Sequence, residues 1–167
     1  MKKILMVIVC AVLLFVSYTT ARNAIDAKAD STLITCWALC KPGDYVNLRQ
    51  WPSKKATIDG YLECGDSFQT DGHSKNGFIR VYGVGENSEE WIYCGFVSTE
   101  KPEPVFERYV VVAKNRVACR RWLDGPNVAS TPWLINGSNV TVFYKTDSWA
   151  VTNRGYIQTK WIEPDPE

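Results

Sequence analysis

Two stretches of this chain carry nearly the same pattern, and that internal repeat limits the folds open to it more than any other feature. The first stretch reads Tyr45-Val46-Asn47-Leu48-Arg49-Gln50-Trp51-Pro52, then Gly60-Tyr61-Leu62, Gly77-Phe78-Ile79-Arg80-Val81, Glu90-Trp91-Ile92 and Phe96-Val97. The second reads Arg116-Val117-Ala118-Cys119-Arg120-Arg121-Trp122, then Pro132-Trp133-Leu134, Ser148-Trp149-Ala150-Val151, Gly155-Tyr156-Ile157 and Trp161-Ile162. The spacings agree closely. Val46 to Leu62 is 16 positions and Val117 to Leu134 is 17, while Trp91 to Phe96 and Tyr156 to Trp161 are both five. A period of roughly 70 residues exceeds the roughly 20–50 of a solenoid unit and matches a small domain. The chain therefore reads as two related small domains in tandem.

Neither repeat includes the N-terminus. Lys2-Lys3 precede an uncharged apolar run from Ile4 to Val16, and Thr19-Thr20-Ala21 ends it with small residues. This is the pattern of a secretory signal peptide over 1–21, cleaved after Ala21. The run is too short for the roughly 20 residues that span a bilayer, so no stable membrane span is expected after cleavage. An uncleaved anchor is the alternative, and bulky Val9 before Cys10 argues against lipid attachment. Removal of 1–21 leaves 17 basic and 18 acidic residues. So balanced a charge gives no global field for nucleic acid, and no nucleic-acid partner is expected.

Five cysteines follow the signal segment: Cys36, Cys40, Cys64, Cys94 and Cys119. In an oxidising compartment small domains are commonly stapled, so disulfides are expected among the first four, whose three possible pairings sequence cannot separate. Cys36-x-x-x-Cys40 has a metal-like spacing, but no second close pair or histidine completes it, and no metal is expected. Cys119 takes the place of Leu48 and reads as a small buried hydrophobe.

Short apolar–polar alternations bounded by turn residues predict strands near 34–39, 45–48, 60–64, 68–70, 78–82 and 91–93. The second repeat predicts strands near 109–113, 117–119, 133–135, 140–144, 150–152 and 156–157. Asn76-Gly77 is a tight-turn signal. The lead-in 22–32 is polar and small, and Lys101-Pro102-Glu103-Pro104 marks 100–107 as a linker. Beyond the signal segment no window sustains a helical period. Five or six short strands in 50–60 residues point to a small closed or nearly closed barrel.

At this point the motifs resemble a known family. Val46-Asn47-Leu48-Arg49-x-x-Pro52-Ser53, Gly60-x-Leu62-x-x-Gly65 and Trp91-Ile92-x-x-x-Phe96-Val97 are similar, in order and spacing, to the bacterial SH3 (SH3b) signature. Glu90 stands where that family usually has Gly. The second repeat keeps its Val-x-Cys-Arg start and Gly155-Tyr156-Ile157 … Trp161-Ile162 end but lacks the Pro-Ser. The resemblance implies an all-β molecule, with two small SH3-like β-barrels in tandem after an N-terminal signal helix. The barrels would cover 33–99 and 108–164.

Residues suited to chemistry are scarce. His73, the single histidine, lies in the polar run Asp71-Gly72-His73-Ser74-Lys75 and reads as solvated. Glu89-Glu90 reads as part of a solvated turn, and Gly83-Val84-Gly85-Glu86 lacks the features of a phosphate loop. No catalytic residue, enzyme activity or cofactor is expected. Binding remains, because aromatics that alternation turns outward offer rigid contact area at small entropic cost. Arg49 and Trp51 on the first long loop, with Tyr82 and Tyr93 on strands, are the expected ligand-binding residues. The resemblance implies cell-wall peptidoglycan as ligand for such a groove. An envelope protein docked by an adaptor is the alternative partner. Run 114–122 of the second repeat is a basic patch with an aromatic, suited either to an anionic polymer or to a solvated strand face. The expected location is secreted or cell-surface, outside the cytoplasm.

Overall fold

Alternation of small apolar cores with polar faces, broken by glycine turns, yields short antiparallel strands throughout. The computed structural model describes residues 32–84, 89–130 and 133–166. The signal-peptide expectation for 1–21, and the lead-in apart from Thr32, fall outside the described residues. The first repeat contains β1 (Ile34–Ala38), β2 (Tyr45–Arg49), β3 (Ile58–Glu63), β4 (Ser67–Thr70), β5 (Ser74–Lys75), β6 (Phe78–Val81), β7 (Glu90–Tyr93) and β8 (Val97–Ser98). The second contains β9 (Glu103–Val111), β10 (Val117–Ala118), β11 (Trp133–Leu134), β12 (Asn139–Lys145), β13 (Trp149–Thr152), β14 (Gly155–Gln158) and β15 (Ile162–Pro164). A 3-10 turn precedes the last strand of each repeat, at Cys94–Phe96 and at Thr159–Trp161. The described chain is all-β.

Strand pairing repeats along with the sequence. Order β4-β1-β8 in the first repeat recurs as β12-β9-β15 in the second. Hairpins β2-β3 and β6-β7 recur as β10-β11 and β13-β14. Arg49 pairs with Trp91, and at the equivalent place Arg120 bridges to Tyr156. Asn76 and Gly77, with φ of 52° and 78°, form the two-residue turn between β5 and β6. Positive φ at both positions matches the right-handed twist of the flanking strands, which is why Asn-Gly stands there.

Each repeat closes on its own apolar centre. Cys36, Val46, Leu48, Leu62, Phe68, Val81 and Ile92 pack in the first. Val111, Val117, Cys119, Leu134, Val140, Val142 and Ile157 pack in the second. Leu48 and Cys119 hold matching places, 2% and 0% exposed. A third cluster, Leu39, Val151 and Tyr156, with Phe96, Trp122 and Tyr144 against it, joins residues from both repeats. At its centre the buried Tyr156 hydroxyl donates to the Leu39 carbonyl at 2.8 Å, 117 positions away. Burial pushes the Tyr156 phenol well above its usual range, so it stays a donor.

Three expectations are corrected here. Residues 103–107 are not linker, because they form the first half of β9 and pair with β12, Glu103 with Lys145 and Pro104 with Tyr144. Strand β15 flanks β9 only at 109–111, so Pro104 withholds no ladder hydrogen bond on its open side. Phe106 (φ 55°) opposes the register shift between Val142 and Tyr144, a bulge within β9 and β12. Second, Glu90 is not in a solvated turn; it is fully buried at the head of β7, opposite Val81. Third, Cys36, Cys40, Cys64, Cys94 and Cys119 are all free thiols in this structure, which does not bear out the expected disulfides.

Replacing Tyr156 by Phe keeps the ring and strands the Leu39 carbonyl without its donor. We expect a loss of about 1–3 kcal/mol in unfolding free energy, read from urea denaturation.

Candidate functional site

The four residues expected to bind ligand do not form one site. Arg49 and Tyr93 line a cleft of about 260 Å³ on the first repeat, together with Tyr45, Asn47, Lys54, Phe78 and Phe96. Arg49 Nη1 is already engaged, donating to the Ala56 carbonyl at 2.8 Å. Arg120 does the same in the second repeat, donating to Gly125 at 2.7 Å. This arginine thus ties down the loop that follows it in both copies.

Trp51 sits away from that cleft, on a loop, 47% exposed. Tyr82 belongs to a different cluster. Its hydroxyl donates to Asp71 Oδ2 at 3.2 Å, and its ring lies 5.4 Å from the Arg80 guanidinium. Arg80 pairs with Asp71 and also reaches Glu89 Oε1 at 3.3 Å. Hydrogen bonding from Arg80 holds the Asp71 carboxyl down at about 2. His73 is exposed beside this cluster, its ring edge-on to Trp91 at 5.8 Å.

The first-repeat cleft takes one wall from the second repeat. Trp122, the positional counterpart of Trp51, meets Tyr93 edge-on at 5.7 Å and forms one wall. Two glycines make its seat. A Cβ at Gly95 would stand 2.4 Å from Trp122 Cδ1, and one at Gly125 would stand 2.4 Å from Trp122 Nε1. The Leu123 amide donates to the Gly95 carbonyl at 2.9 Å, fixing the strand of contact beside the ring. The counterpart of Gly95 in the second repeat is Lys160, and that of Gly125 in the first is Lys54. Neither Trp51 nor the second cleft can therefore reproduce the arrangement, because a side chain occupies the space each glycine leaves.

The second repeat accordingly keeps its cleft open. It encloses about 810 Å³ between loop 112–116 and the tryptophans Trp133, Trp149 and Trp161. Pairing of Ala118 with Trp133 and Val117 with Leu134 sends Leu134 into the core and leaves Trp133 49% exposed. Trp149 and Trp161 replace Phe78 and Phe96 of the first repeat, giving broader aromatic walls. Lys114 and Arg116 stand on the loop, Asn136 and Gln158 complete the polar lining, and among the described residues no carboxylate lines the cleft. Asn136 Oδ1 accepts from the Ala113 amide at 3.0 Å and anchors the loop. Lys160 Nζ lies 5.1 Å from the Trp161 ring. Such a surface suits an extended chain with flat or apolar faces and acceptor or anionic groups.

Sequence reasoning weighed run 114–122 as a basic patch but did not bring Trp133, Trp149 and Trp161 together. The usable signal was the exchange of Phe for Trp at two matched positions, with Lys replacing Gly95. Among the described residues, no three His, Cys, Asp or Glu side chains converge as metal ligands would. No helix among them is long and apolar enough to cross a membrane.

Among solved structures the chain is similar to NlpC1 from Trichomonas vaginalis, with 17% identity, a TM-score of 0.34 and coverage of 82% of this chain and 48% of that one. It is also similar to NlpC2 from Trichomonas vaginalis, with 16% identity, a TM-score of 0.35 and coverage of 82% and 50%. The chain thus spans about half the length of these two proteins. No family model matches it, and a search of curated proteins finds no match.

The Asp71 cluster sets an acid response. A carboxyl depressed in the folded state adds stability above its unfolded pKa of about 4, and that stability is lost as pH falls through about 2. Asp71→Asn should therefore flatten the fall in melting temperature between about pH 4 and pH 2, read by thermal denaturation across that range.

Proposed function

We propose that this chain is an extracytoplasmic, non-catalytic binding protein built from tandem SH3b-like barrels, and that its second-repeat cleft recognises peptidoglycan or another envelope component. The observation that carries this reading is the contrast between the two clefts. The first, about 260 Å³, is narrowed by the Trp122 wall, whereas the second, about 810 Å³, presents three tryptophans under a basic and amide rim. Peptide stems and glycans are extended, carry amides and carboxylates, and stack on rigid aromatic faces. The one histidine, His73, is exposed, packs edge-on to Trp91 and lines neither cleft, which supports a binding role over hydrolysis.

An adaptor that docks an envelope enzyme or transfer apparatus is the second reading. It draws on Tyr45 and Tyr61, each 62% exposed and 5.3 Å apart, which suit a protein partner.

Co-sedimentation with purified sacculi separates the two. The wild-type chain should sediment with the wall, and Trp133→Ala should weaken retention at least about 10-fold, as loss of a central aromatic anchor does. Trp51→Ala should leave retention unchanged. Retention of Trp133→Ala at the wild-type level removes the second cleft from the account, and a loss confined to Trp51→Ala returns the contact to the first repeat. Failure of every form to sediment, with a protein partner captured instead, favours the adaptor.

A further inference from the structure

We propose that Cys40 and Cys64 form a reversible disulfide that stiffens the first-repeat side of the seam, by exchange with a low-molecular-weight disulfide such as glutathione disulfide. The inference is independent of the cleft and of its ligand. Four cysteines of the first repeat allow three pairings on sequence alone, and the structure singles out one pair. Cys40 follows β1 and Cys64 follows β3, 24 positions apart, yet the Cys40 amide donates to Cys64 Sγ at 3.2 Å, while the Cys40 thiol donates to the Asp44 carbonyl at 3.5 Å. Cys36 shares the first core with Cys40, and Cys119 lies inside the second, but the sulfur that receives the Cys40 amide is that of Cys64.

The chemistry has a direction. Cys64 is only partly buried, so an oxidant can reach it, whereas Cys40 is 3% exposed. The hydrogen bond from Cys40 pulls the Cys64 thiol down, while the same bond and burial push Cys40 up. Cys64 thiolate attacks one sulfur of glutathione disulfide and expels a glutathione thiolate, leaving a mixed disulfide. Cys40 then gives up its proton and attacks the Cys64 sulfur, expelling the second glutathione. The protein loses two electrons and two protons, and the oxidant's S–S bond takes both pairs up as two thiols.

Position gives the bond its consequence. Cys64 packs against the seam cluster, and Leu39, next to Cys40, holds the carbonyl that Tyr156 bonds. Closing the bond fixes the loop after β1 and the turn after β3 on either side of that contact.

The full chain is to be incubated with glutathione disulfide, its remaining thiols capped with N-ethylmaleimide, and its intact mass measured. Two fewer caps than in the reduced protein are expected, with a melting midpoint raised by roughly 5–15 °C and restored by dithiothreitol. Cys64→Ser should abolish the difference, while Cys36→Ser and Cys94→Ser should preserve it. Because Cys64→Ser can lower folding yield, fragmentation spectra of the oxidised wild type locate the bond independently. Equal capping before and after oxidation, or a bond that maps to Cys36 or Cys94, overturns the proposal.

Discussion

Trp122 lies against Tyr93 and Gly95 of the other repeat, and the arrangement of the molecule follows from that contact. An indole buries a large apolar area, but it can approach two backbones this closely only where no Cβ intervenes. Gly95 and Gly125 supply that space, one from each repeat. The ring adds to the seam in which Phe96, Tyr144 and Tyr156 pack and Leu39 receives its only long-range side-chain donor among the described contacts, Tyr156. Two repeats of this size have modest cores, so an apolar seam with a satisfied polar contact contributes substantially to their joint stability.

The same contact makes the two clefts unlike. Trp122 forms a wall of the first cleft beside Gly95, and Lys160 stands at the matching place in the second. Trp149 and Trp161 line the second cleft where Phe78 and Phe96 line the first. One topology thus carries a small cleft at the seam and a larger one away from it.

Much of this was legible in the sequence and part was not, for reasons specific to each residue. Leu48 and Cys119 share a strand phase, and local alternation was enough to place both indoors. Asn76-Gly77 announced its turn because positive φ at two successive positions has few other residues to serve it. Residues 103–107 read as linker because Glu and Pro are poor strand formers, yet the distant β12 supplies a partner that composition cannot reveal. Glu90 defeated the reading for a related reason: its burial is set by pairing with Val81, while its local sequence is that of a turn. Trp51 and Trp122 look alike in the sequence, and what distinguishes them is a pair of glycines brought together only by the fold.

The central claim is that Trp122 packs against Tyr93 and Gly95 at the first-repeat cleft in solution, and a two-dimensional nuclear Overhauser spectrum tests it most directly. The account predicts cross-peaks from the Trp122 indole to the Gly95 α-protons and to the Tyr93 ring, with none of the kind from Trp51. A Trp122 indole showing no contact with either residue and exchanging with solvent as freely as that of Trp51 would contradict it.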